Sequence, residues 1–224
     1  MYKDYFIIFF IKILKSVKNL FYFNLCGYCK KRIENNVNYE FICKNCINSI
    51  SYISPIKHKK TSFLVYALGK YDGLLRYIVT EKYRKNIVGY YQLEKNIIEM
   101  IDFFNINFDV IIPIPKTVIN KIKHQVDQTK IIAEIISNNY KKIIFNDVYT
   151  REKKYDQAGK RFIDRIAMNN EIFFIPKLKK TELNDKNILI IDDVYTTGTT
   201  IDAIINALSK IDYKTINILV LARK

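Results

Sequence analysis

Ile188-Leu189-Ile190-Ile191-Asp192-Asp193-Val194-Tyr195-Thr196-Thr197-Gly198-Thr199-Thr200-Ile201 is the stretch that decides the fold. Ile188 to Ile191 is a run of branched aliphatic residues, read as a strand buried on both faces, as in a parallel sheet. Two carboxylates, Asp192 and Asp193, come as that strand leaves the core. A small, hydroxyl-rich loop from Thr196 to Thr200 follows and opens a helix. The apolar residues of that helix fall at 201, 204, 205, 208 and 211, which is one helical face. Backbone N–H groups at a helix start, assisted by threonine hydroxyls, form a cradle for phosphate. Gly198 permits close backbone approach. The paired aspartates can accept hydrogen bonds from two adjacent sugar hydroxyls and lie near a bound Mg²⁺. A phosphate cradle one pentose away from a diol site is a site for a ribose 5-phosphate.

Outward from this loop, strand-like and helix-like runs alternate. Residues 63–68 read as a strand, 72–80 as a short helix and 86–104 as a longer one. Asp109 to Ile112 is a second buried strand, ended by Pro113 and Pro115. Residues 125–138 read as helix, 143–148 as strand and 216–221 as the last strand. Such alternation specifies an α/β fold with a mostly parallel sheet flanked by helices. Ligands of such sheets sit beyond the carboxyl ends of the strands.

All four cysteines fall upstream: Cys26, Cys29, Cys43 and Cys46, in the pattern C-x2-C, thirteen residues, C-x2-C. Two residues between thiols let both sulfurs reach one ion from a tight turn, and two such turns complete a tetrahedral zinc shell. A shell of four thiolates is closed, so the zinc is structural. Disulfides fit poorly with a chain lacking an export signal. Gly27, between the first two ligands, sits where an unusual backbone angle is easiest. Lys30, Lys31, Arg32 and Lys44 offset the negative charge of the thiolates. Before them, Phe6, Phe9, Phe10, Ile13, Leu14, Val17, Leu20 and Phe21 recur at spacings of three and four, the mark of an amphipathic helix. The expected organisation is therefore an amphipathic helical segment over 1–25, a zinc-binding module over 26–53 and an α/β domain over 54–224.

The chain of 224 residues carries 37 Lys and Arg against 22 Asp and Glu, a net charge of +15. The surplus is +8 in residues 1–60 and +4 in 151–187, while 188–224 balance to zero. An excess of this size favours anionic partners. The apolar run Tyr5 to Ile11 is far short of the roughly 20 residues needed to cross a bilayer. With Asp4 ahead of it and no small-residue cleavage site after it, it does not read as a signal peptide. The expectation is a cytoplasmic protein.

The Ile188–Ile201 stretch resembles the phosphoribosyl pyrophosphate (PRPP) signature of type I phosphoribosyltransferases. Together with the N-terminal four-cysteine module, it resembles the ComF-type competence protein family. Further matches run along the chain: Tyr71-Asp72-Gly73-Leu74-Leu75-Arg76, Lys82-Tyr83, the Asp109–Pro115 strand and turn, Asp127-Gln128 with Ala133, the spaced series Arg151, Gln157, Arg165, Asn169, and Leu221-Ala222-Arg223. Two departures stand out. His124-Gln125-Val126 replaces an Arg-Gly-Phe, and Asn169 comes one residue late.

The resemblance implies Mg²⁺-PRPP as ligand. Asp192 and Asp193 would hold the ribose hydroxyls, Thr196, Thr197, Gly198, Thr199 and Thr200 the 5-phosphate, and Lys116 the pyrophosphate. Arg151, Gln157 and Arg165 would form a hood loop closing over the site. It further implies a role in DNA uptake during natural transformation. Single-stranded DNA would be a partner, with the uptake machinery at the inner membrane face and the protein placed peripherally there. The alternative is a metabolic enzyme transferring ribose 5-phosphate from PRPP to a small base or amine. Purine-salvage relatives often carry a general-base Asp where Thr196 stands, and threonine cannot serve as a base near neutral pH. No catalytic residue is assigned.

Overall fold

The computed structural model describes residues 25–33, 41–81, 88–116, 127–150 and 173–224. In chain order it contains α1 (Lys44–Asn48), β1 (Ile53–Lys57), β2 (Leu64–Lys70), α2 (Gly73–Glu81), α3 (Val88–Tyr91), α4 (Glu94–Phe103) and β3 (Val110–Pro113). There follow α5 (Gln128–Tyr140), β4 (Ile143–Ile144), β5 (Tyr149–Thr150), β6 (Phe173–Phe174), α6 (Lys177–Lys180), β7 (Asn187–Tyr195), α7 (Thr199–Ala207) and β8 (Thr215–Arg223). Six strands make one sheet in the order β1-β2-β8-β7-β3-β4, and β5 pairs with β6 separately. Only β1 runs antiparallel within the large sheet.

Alternation of side chains divides the interior in two. Leu189 and Ile191 of β7, with Leu219 and Leu221 of β8, face a core roofed by Ile78, Ile97, Ile132 and Ile136 of α2, α4 and α5. Ile188, Ile190, Ile218 and Val220 face the other core, roofed by Ile201 and Ile204 of α7 and by Leu208. Each fully buried aliphatic side chain stabilises the fold by about 1.5–3 kcal/mol. The two central strands, covered on both sides, therefore form its most stable part. The α/β architecture with a mostly parallel sheet is the one the sequence predicts.

Several elements end elsewhere than expected. The helix expected over 86–104 is split into α3 and α4 at Gln92-Leu93. The Gln92 side chain turns away to accept hydrogen bonds from the Phe41 and Ile42 N–H groups at 2.9 and 2.8 Å, and donates to the Ile42 carbonyl at 2.9 Å. The strand expected over 143–148 pairs only at Ile143–Ile144, because Phe145 and Val148 turn into the second core. The helix expected to reach Ile211 stops at Ala207, yet Leu208 and Ile211 remain buried. The left-handed Lys210 (φ 69°) reverses the chain there.

The cysteine segment packs against the body. Cys26, Ile42 and Cys46 share the first core with Leu74 and Tyr90. The Phe41 ring stacks on Tyr77 with centroids 5.9 Å apart. Among the described residues no helix is long and apolar enough to cross a membrane. The amphipathic pattern of residues 2–24 lies outside the described residues.

Candidate functional site

At the carboxyl edge of the sheet, β3 stops pairing with β7 at Pro113↔Ile191. On the other side β8 goes on pairing at Asp192↔Val220, Val194↔Ala222 and Tyr195↔Arg223. Asp192 and Asp193 therefore stand inside β7 and not past its end. The apolar run ends at Ile191 because the β3 ladder ends there, while β8 still holds the backbone extended. Both carboxylates are half-buried, and the Asp193 N–H donates to Asp192 Oδ1 at 2.8 Å. Burial, then the nearby Asp193 charge and Tyr71, push the Tyr90 phenol well above its usual range.

The loop from Thr196 to Thr200 turns directly into α7. Gly198 is the residue before the helix, at φ 86° and ψ 1°, a left-handed conformation that favours glycine. The first helical bond, from the Asp202 N–H to the Gly198 carbonyl, is 2.8 Å. The N–H groups of the first turn thus lack intrahelical acceptors. Thr196, Thr197, Thr199 and Thr200 are exposed around them, and the Thr197 and Thr199 hydroxyls lie 2.9 Å apart. Unspent N–H donors, a helix dipole and mobile hydroxyls together suit an anion. Lys116 is half-buried, three residues beyond the end of β3 on this same edge. The turn before it is anchored by the Thr129 hydroxyl, which donates to the Ile114 carbonyl at 2.9 Å. Arg151, Gln157 and Arg165 lie outside the described residues, as do Lys82, Tyr83, His124 and Asn169.

One part of this region has no counterpart in the sequence reading. His58, in the connection from β1 to β2, is buried beneath the loop at 2% exposure. Its Nδ1 lies 2.9 Å from the Tyr195 hydroxyl and its Nε2 2.9 Å from Asp202 Oδ1. Lys60 Nζ donates to the other Asp202 oxygen at 2.6 Å. Burial would raise the Asp202 carboxyl, but the hydrogen bonds from Lys60 and His58 outweigh it and hold the group below its usual range. Burial raises the Tyr195 phenol. The signal in the sequence was slight: His58 is one of two histidines in a lysine-rich stretch.

At the cysteines, the four sulfurs lie within 4.8 Å of one another, with Cys26–Cys46 at 3.9 Å and Cys29–Cys43 at 3.7 Å. A tetrahedral shell with metal–sulfur bonds of about 2.3 Å has edges of about 3.8 Å, whereas a disulfide needs about 2.05 Å. The thiols are therefore positioned to hold one metal ion. The Cys43 N–H donates to Cys26 Sγ at 3.3 Å, the kind of bond that orients a thiolate ligand. Burial would raise the Cys26 thiol, yet the N–H groups of Cys43, Cys29 and Tyr28 outweigh it and bring the group down to about 7. Burial pushes Cys43 and Cys46 up. The expected backbone role of Gly27 is corrected: its φ is not positive, and the left-handed residue of this turn is Lys30 at 63°. Gly27 is required by space, since a Cβ there would meet Phe41 Cε2 at 2.5 Å and the Tyr77 hydroxyl at 2.9 Å.

The sequence matches the family described as "Phosphoribosyl transferase domain" over residues 89–224. That is more than half of the chain, and the protein belongs to this family. A phosphoribosyl transferase domain implies PRPP binding, commonly with Mg²⁺, and the half-buried aspartate pair and the exposed loop fit such a ligand. The match begins after the cysteine segment, β1, β2 and α2, although β1 and β2 belong to the same sheet. No curated protein matches the sequence. Among solved structures, a hypothetical protein from Neisseria gonorrhoeae with bound ppGpp is similar over 62% of this chain and 69% of that one, at 19% identity and a TM-score of 0.39.

Proposed function

We propose that this chain is a ComF-type phosphoribosyltransferase-like protein whose ligand is Mg²⁺-PRPP. The observation that carries the reading is the arrangement at the end of β7: two half-buried carboxylates, then a left-handed glycine, then a helix start ringed by exposed threonines. In this reading Asp192 and Asp193 accept hydrogen bonds from the ribose hydroxyls. The N–H groups and hydroxyls of Thr196, Thr197, Gly198, Thr199 and Thr200 hold the 5-phosphate. Lys116, as a point cation, meets the pyrophosphate and stabilises its charge as the anomeric C–O bond breaks. Arg151, Gln157 and Arg165 belong to the hood that keeps water from that carbon. Bound Mg²⁺ supplies charge neutralisation to the pyrophosphate. Cys26, Cys29, Cys43 and Cys46 hold a structural Zn²⁺, for which sulfur spacings of 3.7 and 3.9 Å are the support.

The test is calorimetric titration with Mg²⁺-PRPP of the wild type and of Asp192→Asn combined with Asp193→Asn. Two charge-assisted hydrogen bonds are each worth about 1.5–3 kcal/mol, so affinity should fall at least about a hundredfold. Undiminished affinity would remove the assignment.

The proposed setting is DNA uptake, in the cytoplasm or peripherally at the inner membrane, with incoming single-stranded DNA met by the basic surplus of residues 1–60 and 151–187. The support is the net charge of +15 and its concentration away from the zero-charge segment 188–224. Binding to single-stranded oligonucleotides should weaken steeply with salt. Binding absent at low salt would leave the metabolic reading, for which pyrophosphate release with small bases or amines is the measurement. The Thr196 hydroxyl supplies no base to such an acceptor, so activation would have to come from elsewhere.

A further inference from the structure

The side chains beneath the threonine loop form one connected polar group. The Tyr195 hydroxyl lies 2.9 Å from His58 Nδ1. The other ring nitrogen, Nε2, lies 2.9 Å from Asp202 Oδ1. Lys60 occupies Asp202 Oδ2. Tyr195, His58, Asp202 and Lys60 thus form one continuous chain of polar contacts. A buried polar group so satisfied is rigid.

This chain touches the loop backbone. A Cβ placed on Gly198 would lie 2.7 Å from His58 Cε1 and 2.8 Å from the Tyr195 hydroxyl. The glycine therefore rests on the imidazole and the phenol, and its left-handed angle is imposed from below as well as permitted from within. Asp202 stands in the first turn of α7, where its negative charge would repel an anion held at the helix start. Lys60 offsets that charge, and His58 uses the same carboxylate as an anchor. Both come from the β1–β2 connection, which lies outside the family match at 89–224.

We infer that His58 and Tyr195 are positioning residues that set the anion-binding shape of the Thr196–Thr200 loop, holding it against Asp202 from the β1–β2 hairpin. The inference rests on reading that loop as the 5-phosphate site. Its role is selective: the tether supports the sugar-phosphate end of the ligand and not the pyrophosphate end near Lys116.

The experiment compares ribose 5-phosphate and inorganic pyrophosphate, each with Mg²⁺, as calorimetric probes of the full-length wild type, Tyr195→Phe, His58→Leu and His58→Gln. Ribose 5-phosphate affinity should drop about tenfold in Tyr195→Phe and further in His58→Leu, as expected for lost buried hydrogen bonds. Pyrophosphate affinity should hold within about twofold. His58→Gln, which keeps an amide donor for Asp202, should recover part of the loss seen in His58→Leu. General destabilisation would weaken both probes together and would not move their ratio. Tyr195→Phe keeps the ring that fills the core, so it remains informative if His58→Leu does not fold. An unchanged ratio in folded Tyr195→Phe would overturn the tether while leaving the phosphate site intact. A wild type that binds pyrophosphate but no ribose 5-phosphate would overturn the site reading itself.

Discussion

The cysteine knuckle and the threonine loop are both small turns placed beside the sheet, and both are built to hold an ion. They do so with different atoms. The knuckle uses four side-chain sulfurs within 4.8 Å of one another, so its identity is written in residue type. The loop uses backbone N–H groups, so its identity is written in conformation, above all in the 86° φ of Gly198. A side-chain site fails when one ligand atom is removed. A backbone site tolerates changes of side chain and fails when the backbone angle changes.

Cys43→Ser should produce the largest effect. Metal content should fall from one equivalent to near zero by elemental analysis, and the thermal midpoint should drop sharply, since structural zinc binding supplies of the order of 10 kcal/mol. Zinc retained at one equivalent would show that three sulfurs suffice and break the contrast. Gly198→Ala should come next. The left-handed angle costs a residue with a Cβ about 1–2 kcal/mol, and the clashes with His58 and Tyr195 add to it. PRPP affinity should fall about tenfold or more by calorimetry, with zinc content untouched. Thr197→Ser, which keeps the hydroxyl and the backbone, should change affinity by less than about threefold. A larger loss would mean that the loop depends on side-chain shape as the knuckle does.

Gln92→Leu sharpens the comparison by separating the two regions. It removes three hydrogen bonds between the knuckle and the helical layer. Leaving buried groups at residues 41 and 42 unpaired should cost about 1–3 kcal/mol in urea unfolding. PRPP affinity should stay unchanged, because Gln92 touches neither the aspartates nor the loop. A matching loss of PRPP affinity would show that the shared core couples the two sites.

Much of this was legible because the deciding information was local. Cys-x2-Cys places two sulfurs on one turn whatever the surrounding fold, and Ile188–Thr200 carries its strand, carboxylates and loop in consecutive residues. The unbroken apolar run Ile188–Ile191 likewise marked a strand covered on both faces. Reading failed where the partner was distant. His58 is 137 residues from Tyr195 and 144 from Asp202, and nothing in its neighbours marks it as a floor for the loop. Gln92, at the junction of α3 and α4, bonds a segment 50 residues upstream. The extension of β7 through the aspartates depends on β8, which is contributed by the last residues of the chain.

The sequence by itself determined the α/β class, the four-thiol cluster and the aspartate–threonine loop, because each follows from spacing along the backbone. The tertiary structure alone decided that the knuckle shares a core with the body, that Asp192 and Asp193 lie inside a strand, and that a buried histidine supports Gly198. These outcomes depend on which strands and side chains meet across the sheet. Such meetings are set by the packing of the whole chain.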